Sequence, residues 1–138
     1  MQVFFIFLSM LLVGNPLTPY QWQNRILVVF APSENASLYQ QQLAEIETMG
    51  DGFAERDLVL FSVFATDGQG PDATLSQAEV RFLRERYQVA PGEFVAILIG
   101  KDGGRKLRRK GNVLEEPDLF PLIDSMPMRQ REMRQIKP

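Results

Sequence analysis

The chain has 138 residues, of which 45% are hydrophobic and 23% charged, an ordinary balance for one globular domain and too short for two full cores. It holds no cysteine and no histidine. That excludes disulfides, thiolate nucleophiles, cysteine-ligated metals and the usual near-neutral general base, so any chemistry would run on carboxylates, hydroxyls, Lys or Arg.

The net charge of −2 is unevenly spread. Residues 1–100 carry 5 Arg against 11 acids, and residues 101–138 carry 10 Lys or Arg against 6 acids. A basic C-terminal third thus follows an acidic body.

Val3 to Gly14 reads VFFIFLSMLLVG, 12 residues that are apolar except for Ser9. Spanning a bilayer needs roughly 20, so no stable transmembrane span is expected here. The run has the length of a signal-peptide core, and Asn15, Pro16 and Pro19 end it. The expectation is an exported protein, periplasmic or extracellular, with a leader over residues 1–19 and one domain over 20–138 that ends in a short basic tail. Met1-Gln2 supplies no cation and no small-x-small site is present, so the signal would be non-standard. A buried N-terminal strand is the competing reading.

Beyond the leader, RILVVF at Arg25–Phe30 is a short β-branched run and predicts a buried strand. Tyr39, Leu43, Ile46 and Met49 follow helical spacing and stop at Gly50. DLVLFSVFA at residues 57–65 predicts a second strand, and residues 66–71 a loop. Ser76 and Glu79 form a capping box that opens a helix with Val80, Leu83 and Tyr87 on its buried stripe, leaving Arg81, Arg84, Glu85 and Arg86 to solvent. FVAILI at 94–99 is a third strand, Asp102-Gly103 a hairpin turn, and Arg105–Arg109 the returning strand. Glu115-Glu116-Pro117-Asp118 opens a last helix with Leu119, Leu122 and Ile123 inward. The order β-α-β-α-β-β-α predicts an α/β domain with a four-stranded mixed sheet, the minimal thioredoxin-like arrangement.

Three segments, RILVVFAPSEN, FVAILIGKDGGRKLRR and DLFPLIDSMPMRQREM, resemble the domain of unknown function called P-DUDES. That family occurs as small bacterial proteins and within secreted animal proteins of the sushi-repeat and coiled-coil-domain-80 groups. The resemblance covers about residues 20–134 and implies a thioredoxin-like fold with no established reaction or catalytic residues. The family's animal members are extracellular and associated with adhesion and matrix. Where a thioredoxin carries Cys-x-x-Cys, this chain has Pro32-Ser33-Glu34-Asn35, and Gly92 and Glu93 separate Pro91 from the third strand. Both departures argue against oxidoreductase work.

Two places are candidate sites. Ser33 and Asn35 sit at the first strand–helix junction, where free N–H groups could take an anion with Arg25 nearby, or where the two side chains simply cap the helix. Lys101, Arg105, Lys106, Arg108, Arg109 and Lys110 form the densest charge run, with Lys106, Arg108 and Lys110 expected on one strand face and Arg105, Leu107 and Arg109 on the other. The run reads as a polyanion site, or as charge that guards an exposed edge. No aromatic residue interleaves it, which disfavours nucleic acid. Trp22 is expected to anchor the approach to Arg25, and Met126-Pro127-Met128-Arg129 to dock a partner or lie on its own domain. No spacing suggests a metal site, and no motif calls for a cofactor. The expected function is a non-catalytic module binding a protein or polyanion; the alternative is an enzyme built on Ser33–Asn35 with Arg25 or Lys101 as anion clamp.

Overall fold

A computed structural model describes residues 14–136 of the chain; residues 1–13 of the expected 1–19 leader, and with them the competing N-terminal strand, lie outside the described residues. The strands are β1 (Arg25–Phe30), β2 (Leu58–Val63), β3 (Gly68–Gln69), β4 (Thr74–Leu75), β5 (Val95–Ile99) and β6 (Arg105–Lys110). The helices are α1 (Ser37–Thr48), α2 (Asp51–Glu55), α3 (Gln77–Tyr87), α4 (Glu116–Asp124) and α5 (Pro127–Ile136).

The six strands form one sheet in the order β4-β3-β2-β1-β5-β6. β2, reached through α1 and α2, runs parallel to β1, while β5, reached through α3, lies antiparallel on the other side of β1 and β6 antiparallel to β5. The expected four strands are the central β2-β1-β5-β6. Of the other two, β3 lies in the stretch expected as loop and β4 just beyond it, where no element is expected; a two-residue strand is too short to show any alternation.

All six residues of β1 are buried, so the strand is covered on both faces and reads as a continuous apolar run. Leu27 and Val29 face a core with Tyr39 of α1 and Leu119, Phe120 and Ile123 of α4. Ile26, Val28 and Phe30 face the other core, with Val80 and Leu83 of α3. Leu17 joins the α3-side core at 4% exposure, so the folded unit reaches back at least that far.

Local signals explain most helix ends. Ser76 accepts the Glu79 N–H at 3.1 Å while the Glu79 carboxylate accepts the Ser76 N–H at 2.9 Å, the reciprocal box expected from the sequence. At α4 the Asp118 carboxylate accepts the Glu115 N–H at 2.8 Å, and the Asp118 N–H returns to the Glu115 carbonyl at 3.0 Å. Gly50, at φ 56°, ends α1 as expected, but the chain then turns straight into the short α2. Gln42, fully buried on α1, ties that helix to the loop before α4. Its side chain donates to the Leu114 carbonyl at 2.8 Å and accepts the Leu114 N–H at 2.7 Å.

Candidate functional site

The junction that holds the redox motif in thioredoxins is here a solvent-exposed turn. Ser33, Glu34 and Asn35 are exposed, and the Ala36 N–H bonds back to the Ser33 carbonyl at 3.1 Å before α1 begins. Ala36 is the N-cap and α1 has no side-chain cap, so the expected capping by Ser33 or Asn35 does not occur. The intervening turn carries both side chains past the helix end.

Arg25 does not meet that turn. It stands at the opposite end of β1, a strand's length of about 20 Å away. Because β5 pairs antiparallel with Ile26 opposite Ile99, Lys101 comes to the same end of the sheet, where it shares Glu132 with Arg25. Arg25 is 1% exposed and grips Glu132 of α5 through two bonds of 2.8 and 3.1 Å, while also donating to the Arg56 carbonyl. The ammonium of Lys101 bridges Asp57 at 2.8 Å and Glu132 at 3.3 Å. Arg25 first, and then Lys101, hold the Glu132 carboxyl below its usual range against the opposing effect of burial. Next to them Asp124 binds both Arg56 and Arg129. Burial pushes its pKa up, but the two guanidiniums outweigh that and the net shift is downward. Arg129, 6% exposed, also donates to the Glu55 carbonyl. Arg25 and Lys101 are thus occupied in latching α5 onto the domain, and the Met126–Arg129 segment lies on its own fold.

Trp22 is not an anchor. It is 63% exposed at φ 71°, held there by its N–H bond to the Lys101 carbonyl. Tyr20 does the packing instead, edge-on to Phe61 with 5.3 Å between ring centroids. Its hydroxyl donates to Asp72, which raises the phenol pKa to about 12. Guanidiniums lie over aromatic rings at Arg56, 3.7 Å above Phe120, and at Arg84, 5.7 Å from the Phe30 ring centre.

β6 is the sheet edge, as its charge pattern implies, but the expected faces are rearranged. A register irregularity between Leu98 and Ile99 places Arg105 opposite Ile99 and leaves Lys106 as the extra residue. Cross-strand partners share a face, so Arg105 joins Arg108 and Lys110 on the α3 side. Lys106 instead lines a cleft of about 200 Å³ with Leu122, Met126 and Met128. Four of the six cations have carboxylate partners. Lys101 pairs as above, Lys106 with Asp102, Arg109 with Asp118, and Lys110 with Glu93 at 3.6 Å. Asp102 is held low chiefly by the Gly104 N–H and then by Lys106; Asp118 is held low chiefly by the Glu115 N–H, with Arg109 adding to it. Arg108 donates to the carbonyls of Tyr87 and Gln88, completing the C-terminal end of α3. Among the described residues Arg105 has no carboxylate partner, and neither has Arg86 of α3, which lines a cleft with Ile99, Gly100 and Asp102 at the same end of the sheet.

One arginine expected in solvent is buried. Arg84 is 7% exposed and lines a cleft of about 440 Å³ between α3 and the Ala65 and Pro91 loops. Its guanidinium donates to the carbonyls of Ala31, Val63, Phe64, Val89 and Ala90. All its donors are spent on the chain itself, at the point where β1 and β2 end. Burial pushes its pKa below the ordinary value, opposed by the charge of Glu93. Its heptad-like place beside Leu83 offered no signal of this, since the partners are backbone carbonyls from three loops.

A parallel β2-β1 pair continued by the antiparallel β5-β6 hairpin, with helices on both faces, defines a thioredoxin-like domain. Solved structures agree. The reduced 2-Cys peroxiredoxin of Plasmodium vivax superposes with a TM-score of 0.64 at 16% identity, over 83% of this chain and 72% of that one. Thioredoxin peroxidase I of Plasmodium yoelii gives 0.58 at 15% identity, over 88% and 82%. At such identities the likeness is one of fold, and this chain lacks the cysteines that the first name requires.

Within that class the chain belongs to the family described as domain of unknown function DUF4174, which it matches over residues 16–132. It is also 28% identical, over 139 aligned positions and 86% of its length, to coiled-coil domain-containing protein 80 of Danio rerio. The chain spans only 16% of that relative's length.

Proposed function

We propose that this domain is a non-catalytic binding module that takes an anionic partner on the α3 side of its β6 edge. The observation that carries the reading is that Arg105 and Arg86 approach that side with no carboxylate partner among the described residues, while Arg25 and Lys101 are consumed by the α5 latch. An enzyme at Ser33–Asn35 has lost its proposed clamp, because both cations lie at the far end of β1. Thiol chemistry has no atom to run on.

The test uses immobilised heparin as a generic polyanion. Retention should fall as salt rises, since screening shortens to about 8 Å at physiological ionic strength. Replacing Arg86 and Arg105 with Ser should weaken retention more than replacing Lys106 and Lys110, whose charges Asp102 and Glu93 already offset. Equal effects of the two pairs, or no retention at low salt, would sink the reading.

Export belongs to the same proposal. A leader ending near Gly14 would leave Leu17 free to pack in the α3-side core, and an acid-rich or sulfated partner is at home outside the cell. Mass spectrometry of the mature N-terminus in the native host checks it; an intact Met1 would refute it.

A further inference from the structure

The outer edge of β6 has no strand beside it among the described residues. Which of its backbone groups are free follows from the ladder. The Gly111 N–H bonds to the Phe94 carbonyl at 2.9 Å, so these two residues form a hydrogen-bonded pair. In an antiparallel ladder such pairs alternate with unbonded ones. Arg109 opposite Ala96 and Leu107 opposite Leu98 are therefore bonded inward. Arg108 and Lys110, opposite Ile97 and Val95, turn both N–H and C=O outward.

We propose that this edge accepts an extended acidic segment of another polypeptide as a seventh strand. The proposal rests on the anionic-partner reading above and names its chemical class. Charge complementarity selects the occupant. β6 reads RKLRRK, with no acid and no proline, so a second copy would set like charges directly opposite one another, which is unfavourable. A strand alternating Glu with Thr or Val would instead place carboxylates against Arg105 and Lys110 while its backbone pairs with the outward groups of Arg108 and Lys110. The same charges thus guard the edge against its own kind and open it to an acidic strand. A flexible sulfated chain could use the charges but has no repeating N–H and C=O groups to pair in register with the outward backbone groups.

The experiment separates backbone pairing from charge. Lys110→Ser removes the charge and keeps the N–H. Lys110→Pro removes the charge and the outward N–H, which no inward bond needs, as suits an edge strand. A capped peptide alternating Glu with Thr should bind Lys110→Pro about fivefold or more weakly than Lys110→Ser. Heparin should be retained equally by both variants. In the unmodified protein, saturating peptide should slow hydrogen exchange at the Arg108 and Lys110 amides, which settles the matter even if the proline variant folds poorly.

Peptide binding without that slowing would overturn the proposal. So would heparin retention without peptide binding, an outcome that leaves the anionic-partner reading intact, whereas loss of both would remove the two together. A free protein that sediments as a dimer with those amides already protected would assign the edge to a second copy and refute the acidic strand.

Discussion

Replacing Arg84 with Met is the sharpest test of how this fold is held at the C-terminal ends of β1 and β2. Of the five carbonyls that Arg84 serves, Val63 also accepts the Ala31 N–H and Ala90 also accepts the Glu93 N–H. Ala31 and Phe64, bonded at 3.1 and 3.0 Å, are the two short partners that would be left bare. Orphaning a buried acceptor costs roughly 1–3 kcal/mol each, so two cost about 4 kcal/mol. Removing a buried charge returns part of that, because its desolvation is no longer incurred. A net loss of about 3 kcal/mol remains. For a domain of this size that lowers Tm by about 12 °C and moves a urea midpoint by about 2 M. Urea unfolding followed by circular dichroism measures it. Arg84→Lys should recover only part, since one ammonium cannot reach carbonyls on three loops at once. Heparin retention of the folded Arg84→Met protein should be unchanged, because no Arg84 donor is free. A loss under about 1 kcal/mol would refute the account, as would an Arg84→Lys variant as stable as the parent.

Three further expectations come from other parts of the fold. Glu132→Gln leaves the Arg25 guanidinium buried without its counter-charge and should cost about 2 kcal/mol, seen as faster hydrogen exchange over residues 127–136. Since the folded pKa values of Glu132 and Asp124 are depressed, their contribution is complete above the unfolded carboxylate value of about 4 and fades as pH falls. The Gln variant should therefore show a shallower acid limb, and an unchanged limb would refute the latch. Tyr20, raised to about 12, should give a late phase in an alkaline absorbance titration, its contribution being complete below about pH 10 and lost as pH rises through 12. Tyr20→Phe or Asp72→Asn should abolish that late phase. Gly52→Ala should destabilise α2 despite the better helix propensity of Ala, because the new Cβ would meet the Phe120 ring at 2.6 Å while Arg56 stacks on that ring. A gain in Tm would contradict this.

The local devices of this domain were legible in the chain itself, because each is built from residues near one another. RILVVF matched β1 at both ends, since a strand buried on both faces must be apolar throughout. Ser76 with Glu79 and the Asp102-Gly103 turn acted over a few residues and formed as read. Their order was enough for the fold class: the first helical crossover joins the parallel β1-β2 pair and the tight turn the antiparallel β5-β6 pair, whereas the antiparallel setting of β5 on β1, after a helix, was left to the tertiary structure. What only the tertiary structure decided was the fate of each cation. Arg25 met Glu132, 107 residues further on, and Arg84 met carbonyls from three loops; no spacing rule reaches partners so distant in the chain. A single irregularity opposite Leu98 and Ile99 carried Arg105 to the other face of β6, because strand faces alternate residue by residue and one extra residue inverts every assignment beyond it.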